Sequence, residues 1–216
     1  MAVPSTEPNR RRLLLEAARR LFGAHPYEAV TTTEIAREAG VAYGLIAHHF
    51  GNKRGLYVAV MAEIRTELAE THDAPLDGGS LPDLLRNALR RHVEYVDRRR
   101  DGFRTLMRGG LGSDPDIQEL IDDLRWDGAK KILQGAGFDG DPSPLLSAAM
   151  RSWVVLFDEL ILSRIESRQI SVEDVVEIAS SVLLTTLRTT VLREPSLRFS
   201  PEFEKLLSGD GGPPTP

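Results

Sequence analysis

Apolar residues recur every three to four positions along most of this chain, and that period predicts helices. Leu14, Ala17, Ala18, Leu21 and Phe22 form one stripe of a first helix over 10–24, which His25 and Pro26 end. Thr31 followed three residues later by Glu34 has the form of a capping box. Ile35, Ala36 and Ala39 then share a face, and Gly40 sits where glycine stops a helix. Val41 is the apolar pivot of the turn. A helix over 42–49 follows, returning Ile46 and Phe50 to the core, and Gly51 and Asn52 break it. Lys53 opens a long helix to 71 with Leu56, Tyr57, Val60, Met61, Ile64 and Leu68 on one stripe. Helix, glycine turn and helix at this spacing is the helix-turn-helix layout, whose second helix enters the major groove of DNA.

The rest of the chain also reads as helices. After a Pro/Asp/Gly-rich loop over 72–79, Ser80 and Asp83 cap a helix over 81–100 with Leu84, Leu85, Ala88, Leu89, His92 and Val96 inward. A short helix over 103–111 ends at Gly109, Gly110 and Gly112, and another spans 114–135. Two long helices follow, 143–167 and, capped by Ser171 and Asp174, 171–193, with Pro195 beyond. No strand pattern exceeds a few residues and no repeat is present. The expectation is an all-α chain: an N-terminal three-helix helix-turn-helix DNA-binding domain over 1–56, a C-terminal helical ligand-binding and dimerisation domain over 57–194, and a partly disordered Gly/Pro-rich tail over 195–216.

Position in the second motif helix assigns contacts. Ala42, Tyr43, Gly44 and Leu45 lie at its N-terminal end, the end that meets base edges. Tyr43 suits a base or phosphate contact, Leu45 a thymine methyl, and Gly44 a close backbone approach. Lys53 sits at a helix N-terminus, where its charge and free N–H groups favour a phosphate, with Arg54 beside it. His48 and His49 are adjacent and point about a hundred degrees apart, which does not suit a shared metal. Arg10, Arg11 and Arg12 follow a polar arm that reads either as a phosphate or minor-groove contact or as a solvated helix start.

The run over 12–57 resembles the N-terminal domain of the TetR family of transcriptional regulators. The matching residues are Ala17, Ala18, Leu21, Phe22, Thr31, Ile35–Ala36, Ala39–Val41, Gly44, Ile46, His49–Phe50, Lys53 and Leu56. Two positions depart: Ala42 stands where the family usually has Ser or Thr, and Ala47 where it usually has a Tyr that contacts the DNA backbone. The resemblance implies a phosphate contact for His49, and the expected DNA-facing set is Thr31, Ala42, Tyr43, Gly44, Leu45, His48, His49 and Lys53. It further implies a homodimeric repressor of a double-stranded DNA operator, released by a small-molecule effector held in an apolar pocket. Candidate lining residues are His92, Phe103, Met107, Trp126, Met150, Trp153 and Phe157, each of which equally suits plain core packing. The last two helices carry more apolar surface than a monomer needs, and Ala179, Ser180 and Ser181 permit close approach, so 143–167 and 171–193 are the expected dimer interface.

Composition narrows the classes. The formal net charge is -5, yet residues 1–56 hold eight Lys/Arg against five Asp/Glu while the remainder holds nineteen against twenty-seven. A basic head on an acidic body suits a protein that meets DNA at one end. There is no cysteine, hence no disulfide, thiolate metal site or cysteine nucleophile. A Gly-rich phosphate loop and an HExxH pair are also missing, so no enzyme, metal or cofactor is expected. The N-terminus shows no signal peptide, and the apolar stretches read as too short and interrupted to cross a bilayer, which makes the default a cytoplasmic protein without a membrane partner. The rival reading is a helical ligand-binding or scaffold protein that no longer binds DNA, on account of Ala42 and Ala47.

Overall fold

The computed structural model describes residues 7–73, 79–108, 115–167 and 169–208. The start of the N-terminal arm, most of the loop after residue 73, Gly109, Gly110 and Gly112, and the end of the tail lie outside them. The described residues form helices with no strand. In order these are α1 (Glu7–Ala24), α2 (Thr32–Ala39), α3 (Gly44–Phe50), α4 (Lys53–Asp73), α5 (Leu81–Asp97), α6 (Arg100–Arg108), α7 (Pro115–Gly135), α8 (Pro144–Ser167), α9 (Val172–Arg193) and α10 (Pro201–Ser208). A single 3-10 turn, Tyr27–Ala29, links α1 to α2.

The chain divides into two compact units. The first comprises the residues up to Glu70 together with Arg99–Ile121. Its core takes Leu14, Ala17, Ala18 and Phe22 of the predicted α1 stripe, with Leu15 in addition, buried together with Ile35, Ala36, Ile46, Leu56, Tyr57 and Val60, while Leu21 is half-buried. Each leucine so removed from water contributes about 1.5–3 kcal/mol. Phe22, Tyr27 and Tyr57 form a ring cluster with centroids 5.0–5.5 Å apart. Burial there pushes the Tyr57 hydroxyl up to about 12. Gly23 of α1 faces Gly102 of α6, where a Cβ on Gly23 would lie 3.5 Å from the other glycine's Cα. Glu67 of α4 binds both Arg19 of α1 and Arg99, at 2.8 Å and 3.0 Å.

The second unit comprises Thr71–Arg98 and the residues from Asp122 onward. Met150, Trp153, Phe157 and Ile161 of α8 pack on Val175, Ala179, Leu183 and Leu187 of α9. The Trp153 indole N–H donates to the Ala179 carbonyl at 2.9 Å. Arg164 joins Asp97 at 2.7 Å and the Ile170 carbonyl at 2.6 Å, tying α8 to the end of α5 and to the α8–α9 turn. Asp158 is buried on α8 and paired with Arg125 of α7 at 2.7 Å. Burial raises its carboxyl, and the guanidinium partly offsets that rise.

Several boundaries differ from expectation. Helix α1 starts at Glu7, α5 stops at Asp97, and α6 runs over Arg100–Arg108, three residues earlier than read. Helix α3 begins at Gly44, because Tyr43 is its N-cap and Ala42 lies in the turn. The region after Pro195 is not all tail. Ser200 accepts from the Phe203 amide at 3.2 Å, Pro201 opens α10, and Phe203 and Leu207 are buried. The Ser200 amide donates to the Ala136 carbonyl at 3.0 Å, and Phe138, Phe199 and Phe203 stack with centroids 5.6 and 5.3 Å apart. Eight residues are too few to show a helical period, and tertiary docking stabilises them. The reading of apolar length also needs correction: α9 is long and apolar enough to cross a membrane by length and composition.

Candidate nucleic-acid interface

The motif is built by local chemistry. The Thr31 hydroxyl accepts from the Glu34 amide at 3.2 Å, and the Glu34 carboxylate accepts from the Thr31 amide at 2.9 Å and hydroxyl at 2.7 Å. Those bonds hold the Glu34 carboxyl below its ordinary value, the hydroxyl most of all. Gly40 then adopts φ 65°, ψ 32°, a left-handed conformation in which a Cβ is strained, and its amide bonds the end of α2. Val41 donates to the Ala36 carbonyl at 3.1 Å, which closes the turn. The order of residues thus sets the angle at which α3 leaves α2.

Helix α3 buries Ile46 and turns another face out. Ala42, Tyr43, Gly44, Ala47 and His48 are exposed, and positions 43, 44, 47 and 48 make one stripe. Tyr43 is 61% exposed and its hydroxyl accepts from the Thr32 hydroxyl at 3.4 Å. Leu45 and His49 are half-buried. His49 Nε2 is sealed from solvent without a hydrogen-bond partner.

Helix α4 opens on Asn52, whose side-chain oxygen accepts from the Gly55 amide at 2.9 Å. Lys53 is half-buried with its ammonium 4.1 Å from the centre of the Tyr27 ring. Desolvation lowers its pKa, against the opposing pull of Glu28 and Glu34. Arg11 lies over the Phe50 ring at 5.2 Å and Arg12 pairs with Glu16 at 2.6 Å. The sequence reading took Asn52 as a helix breaker and not as a cap, and did not single out Gly55 or the pairing of Tyr27 with Lys53. Asn-x-x-Gly ahead of a helix was a usable signal for the cap; the ring under Lys53 has none, since the two residues are brought together only by folding.

The residues considered for a small-molecule site fall in different places. Phe103 and Met107 are on α6 in the first unit, both half-buried. Trp126 is half-buried in the second unit, with the Arg151 guanidinium 4.9 Å over its ring. Met150, Trp153 and Phe157 are buried on successive turns of α8. His92 is half-buried, stacked 5.4 Å from Phe157 and bonded at 3.1 Å to His72, a residue the sequence reading left out.

Comparison with known proteins bears on this arrangement. The family model described as "Bacterial regulatory proteins, tetR family" matches residues 14–60, and "Tetracyclin repressor-like, C-terminal domain" matches residues 81–185. The chain belongs to the TetR family. The HTH-type transcriptional repressor AcnR of Corynebacterium efficiens is 41% identical over 63 residues, 29% of this chain and 34% of that one. The HTH-type transcriptional regulator BetI of Rhizobium meliloti is 38% identical over 76 residues, 35% of this chain and 37% of that one. The match thus spans little more than a third of either curated relative. A solved TetR-family transcriptional regulator from Streptomyces coelicolor superposes over 96% of this chain and 89% of its own, with TM-score 0.70 and 26% identity. The all-helical architecture of this TetR-family chain, with its helix-turn-helix near the N-terminus, is therefore shared along nearly its whole length.

Proposed function

We propose that this TetR-family protein is a homodimeric transcriptional repressor that binds an operator through α2 and α3 and leaves it when a small molecule binds the body. It acts on double-stranded DNA in the cytoplasm, with 1–56 as the reading head and 57–194 as the effector-binding and dimerising body. The observation that carries this is the stripe of Tyr43, Gly44, Ala47 and His48 exposed on a short helix that a capping box and a left-handed glycine hold in place. The stripe supplies base contacts, and Lys53 at the start of α4 supplies a phosphate contact. Thr31, Ala42 and His49 flank that surface, and Leu45 lies half-buried beside it.

The repressing sense rests on the name of AcnR, a transcriptional repressor. The dimer rests on apolar residues left in solvent on the last two long helices: Val155 of α8 is 52% exposed, Ile178 of α9 46% and Leu192 of α9 75%. Ala179 and Ser180 do not belong to that face, being buried. A two-fold dimer matches an operator with half-sites about 34–36 Å apart. Ala42 and Ala47 are exposed and carry no hydrogen-bonding group, which favours as second reading a body-only ligand binder that no longer reads DNA.

Fluorescence anisotropy with the DNA upstream of its own gene, over a salt series, tests this. Tight, steeply salt-dependent binding by two chains per duplex is expected, and Lys53→Ala should flatten the log–log salt slope by about 0.9. Equal, weak binding to specific and random duplexes, with no fragment recovered from a genome-wide selection, would leave only the second reading.

A further inference from the structure

His72 stands in the last turn of α4 and His92 in the middle of α5, with Nε2 of the first 3.1 Å from Nδ1 of the second. The His92 ring lies against Phe157, and Phe157 stacks on Trp153 with centroids 5.4 Å apart. Gly128 of α7 passes alongside, where a Cβ would be 4.0 Å from Cε1 of His72. All five residues belong to the second unit.

Two neutral imidazoles carry one N–H each, and the bond between them uses one donor and one acceptor. The nitrogens left over are His72 Nδ1 and His92 Nε2. One is an N–H and the other a lone pair, whichever ring donates. Neither has a hydrogen-bond partner among the described residues. Neither is sealed in protein either, the sealed unpartnered atom among the described residues being His49 Nε2 in the first unit. The two outer nitrogens therefore stay open to a hydrogen-bonding group beside the rings of Phe157 and Trp153, and a ligand hydroxyl there would take the place of water. Burial pushes His92 down to about 3 and lowers His72 as well, so the pair carries no charge near neutral pH.

The cations around it are already engaged. Arg91 donates to the Thr71 carbonyl at 3.2 Å, Lys131 pairs with Asp73, and Arg125 pairs with Asp158. An entering carboxylate or phosphate would lose its hydration and meet no spare positive charge. A metal is poorly served, as no cluster of three or more His, Cys, Asp or Glu exists among the described residues. A hydroxyl both donates and accepts, so it satisfies an outer nitrogen in either proton arrangement. We propose that the His72–His92 pair receives the hydroxyl group of an uncharged aromatic ligand whose ring lies against Phe157. This rests on the reading of the body as the effector site and names the chemical class of the effector.

Equilibrium dialysis of the full chain against 2-naphthol, naphthalene and 2-naphthoate tests it. 2-Naphthol should bind about tenfold tighter than naphthalene, the equivalent of ~1.4 kcal/mol, and 2-naphthoate more weakly than either. His92→Phe should abolish the advantage of 2-naphthol and leave naphthalene bound, while His92→Gln, which keeps a donor and an acceptor, should retain part of it. The wild-type ranking stands as a test even if a variant fails to fold. Equal binding of the three, tighter binding of 2-naphthoate, or no saturable binding of 2-naphthol overturns the proposal. Anisotropy on upstream DNA separates the two readings. The expected ranking without any change in DNA affinity supports the ligand class and sinks effector release, whereas DNA release by 2-naphthoate alone sinks the ligand class and keeps effector release.

Discussion

Gly55 offers a sharp test of how the reading head is held together. It is the third residue of α4, and a Cβ there would stand 2.0 Å from the carbonyl oxygen of Phe50, the last residue of α3. Carbon and oxygen in contact need at least about 3.3 Å, so Gly55→Ala must open the α3–α4 turn by roughly 1.3 Å. The obstacle is backbone, and no change of rotamer relieves it. The turn is also tied, by the Gly51 amide to Ala47 at 3.0 Å and the Leu56 amide to Asn52 at 3.1 Å. Forced backbone shifts of this kind cost about 1–3 kcal/mol, and a displacement above an ångström belongs at the upper end. The better helix propensity of alanine returns at most about 1 kcal/mol. The net expectation is a loss of ~2 kcal/mol, confined to the head.

Hydrogen exchange read by mass spectrometry measures that loss locally. Amides over 44–60 should exchange about 30-fold faster in Gly55→Ala, with the second unit unchanged. DNA affinity should fall with them, because α3 is displaced. Gly44→Ala is the control, as nothing lies within 4 Å of a Cβ there. It should leave exchange unaltered, so that any loss of DNA affinity reports the close backbone approach at α3. Gly55→Ala with wild-type exchange and wild-type affinity would refute the reasoning from the α3–α4 contact.

Other perturbations address other parts. Thr31→Ala removes the hydroxyl of the α2 cap and should cost about 1 kcal/mol in urea unfolding. Because that hydroxyl is the main reason the Glu34 carboxyl lies below its ordinary 4.5, the wild type holds the benefit above that pH and loses it as the pH falls. Acid should therefore narrow the gap between wild type and variant without closing it, since the Glu34 amide still donates to the Thr31 hydroxyl, and a gap unchanged in acid counts against the capping box. His72 and His92 lie below the ordinary 6.5, so on unfolding they take up protons which the folded state refuses. Stability should be full above pH 6.5 and fall as the pH drops below it, by up to ~1.4 kcal/mol per unit for each histidine, with a shallower slope in His92→Phe; equal stability at pH 5 and 7 would exclude this. Ile178→Glu places a charge on the exposed apolar face of α9 and should sediment as a monomer, and an intact dimer would move the interface elsewhere.

The chain sequence by itself determined the elements whose causes are local. Thr31 with Glu34, Ser80 with Asp83 and Ser171 with Asp174 all form capping boxes, since a hydroxyl and a carboxylate three residues apart need only each other. Gly40 ends α2 because its φ disfavours any side chain. Most of the buried faces of α1 and α4 was legible from period, since a helix facing one core must repeat its apolar residues every three to four positions, although Leu21, Ile64 and Leu68 are only half-buried and Leu15 joins the core.

What only the tertiary structure decided is every pairing between distant residues. Nothing in the spacing of Tyr27 and Lys53, or of His72 and His92, marks them as neighbours, for they meet across separate helices. The short α10 exists because Phe199, Phe203 and Leu207 find a hydrophobic seat, not because eight residues favour a helix alone. The recruitment of Arg99–Ile121 into the first unit was likewise invisible, since it depends on α6 meeting α1, far away in the chain, as Gly102 meets Gly23. Local chemistry sets which segments are helices; the geometry of close approach sets which side chains act together.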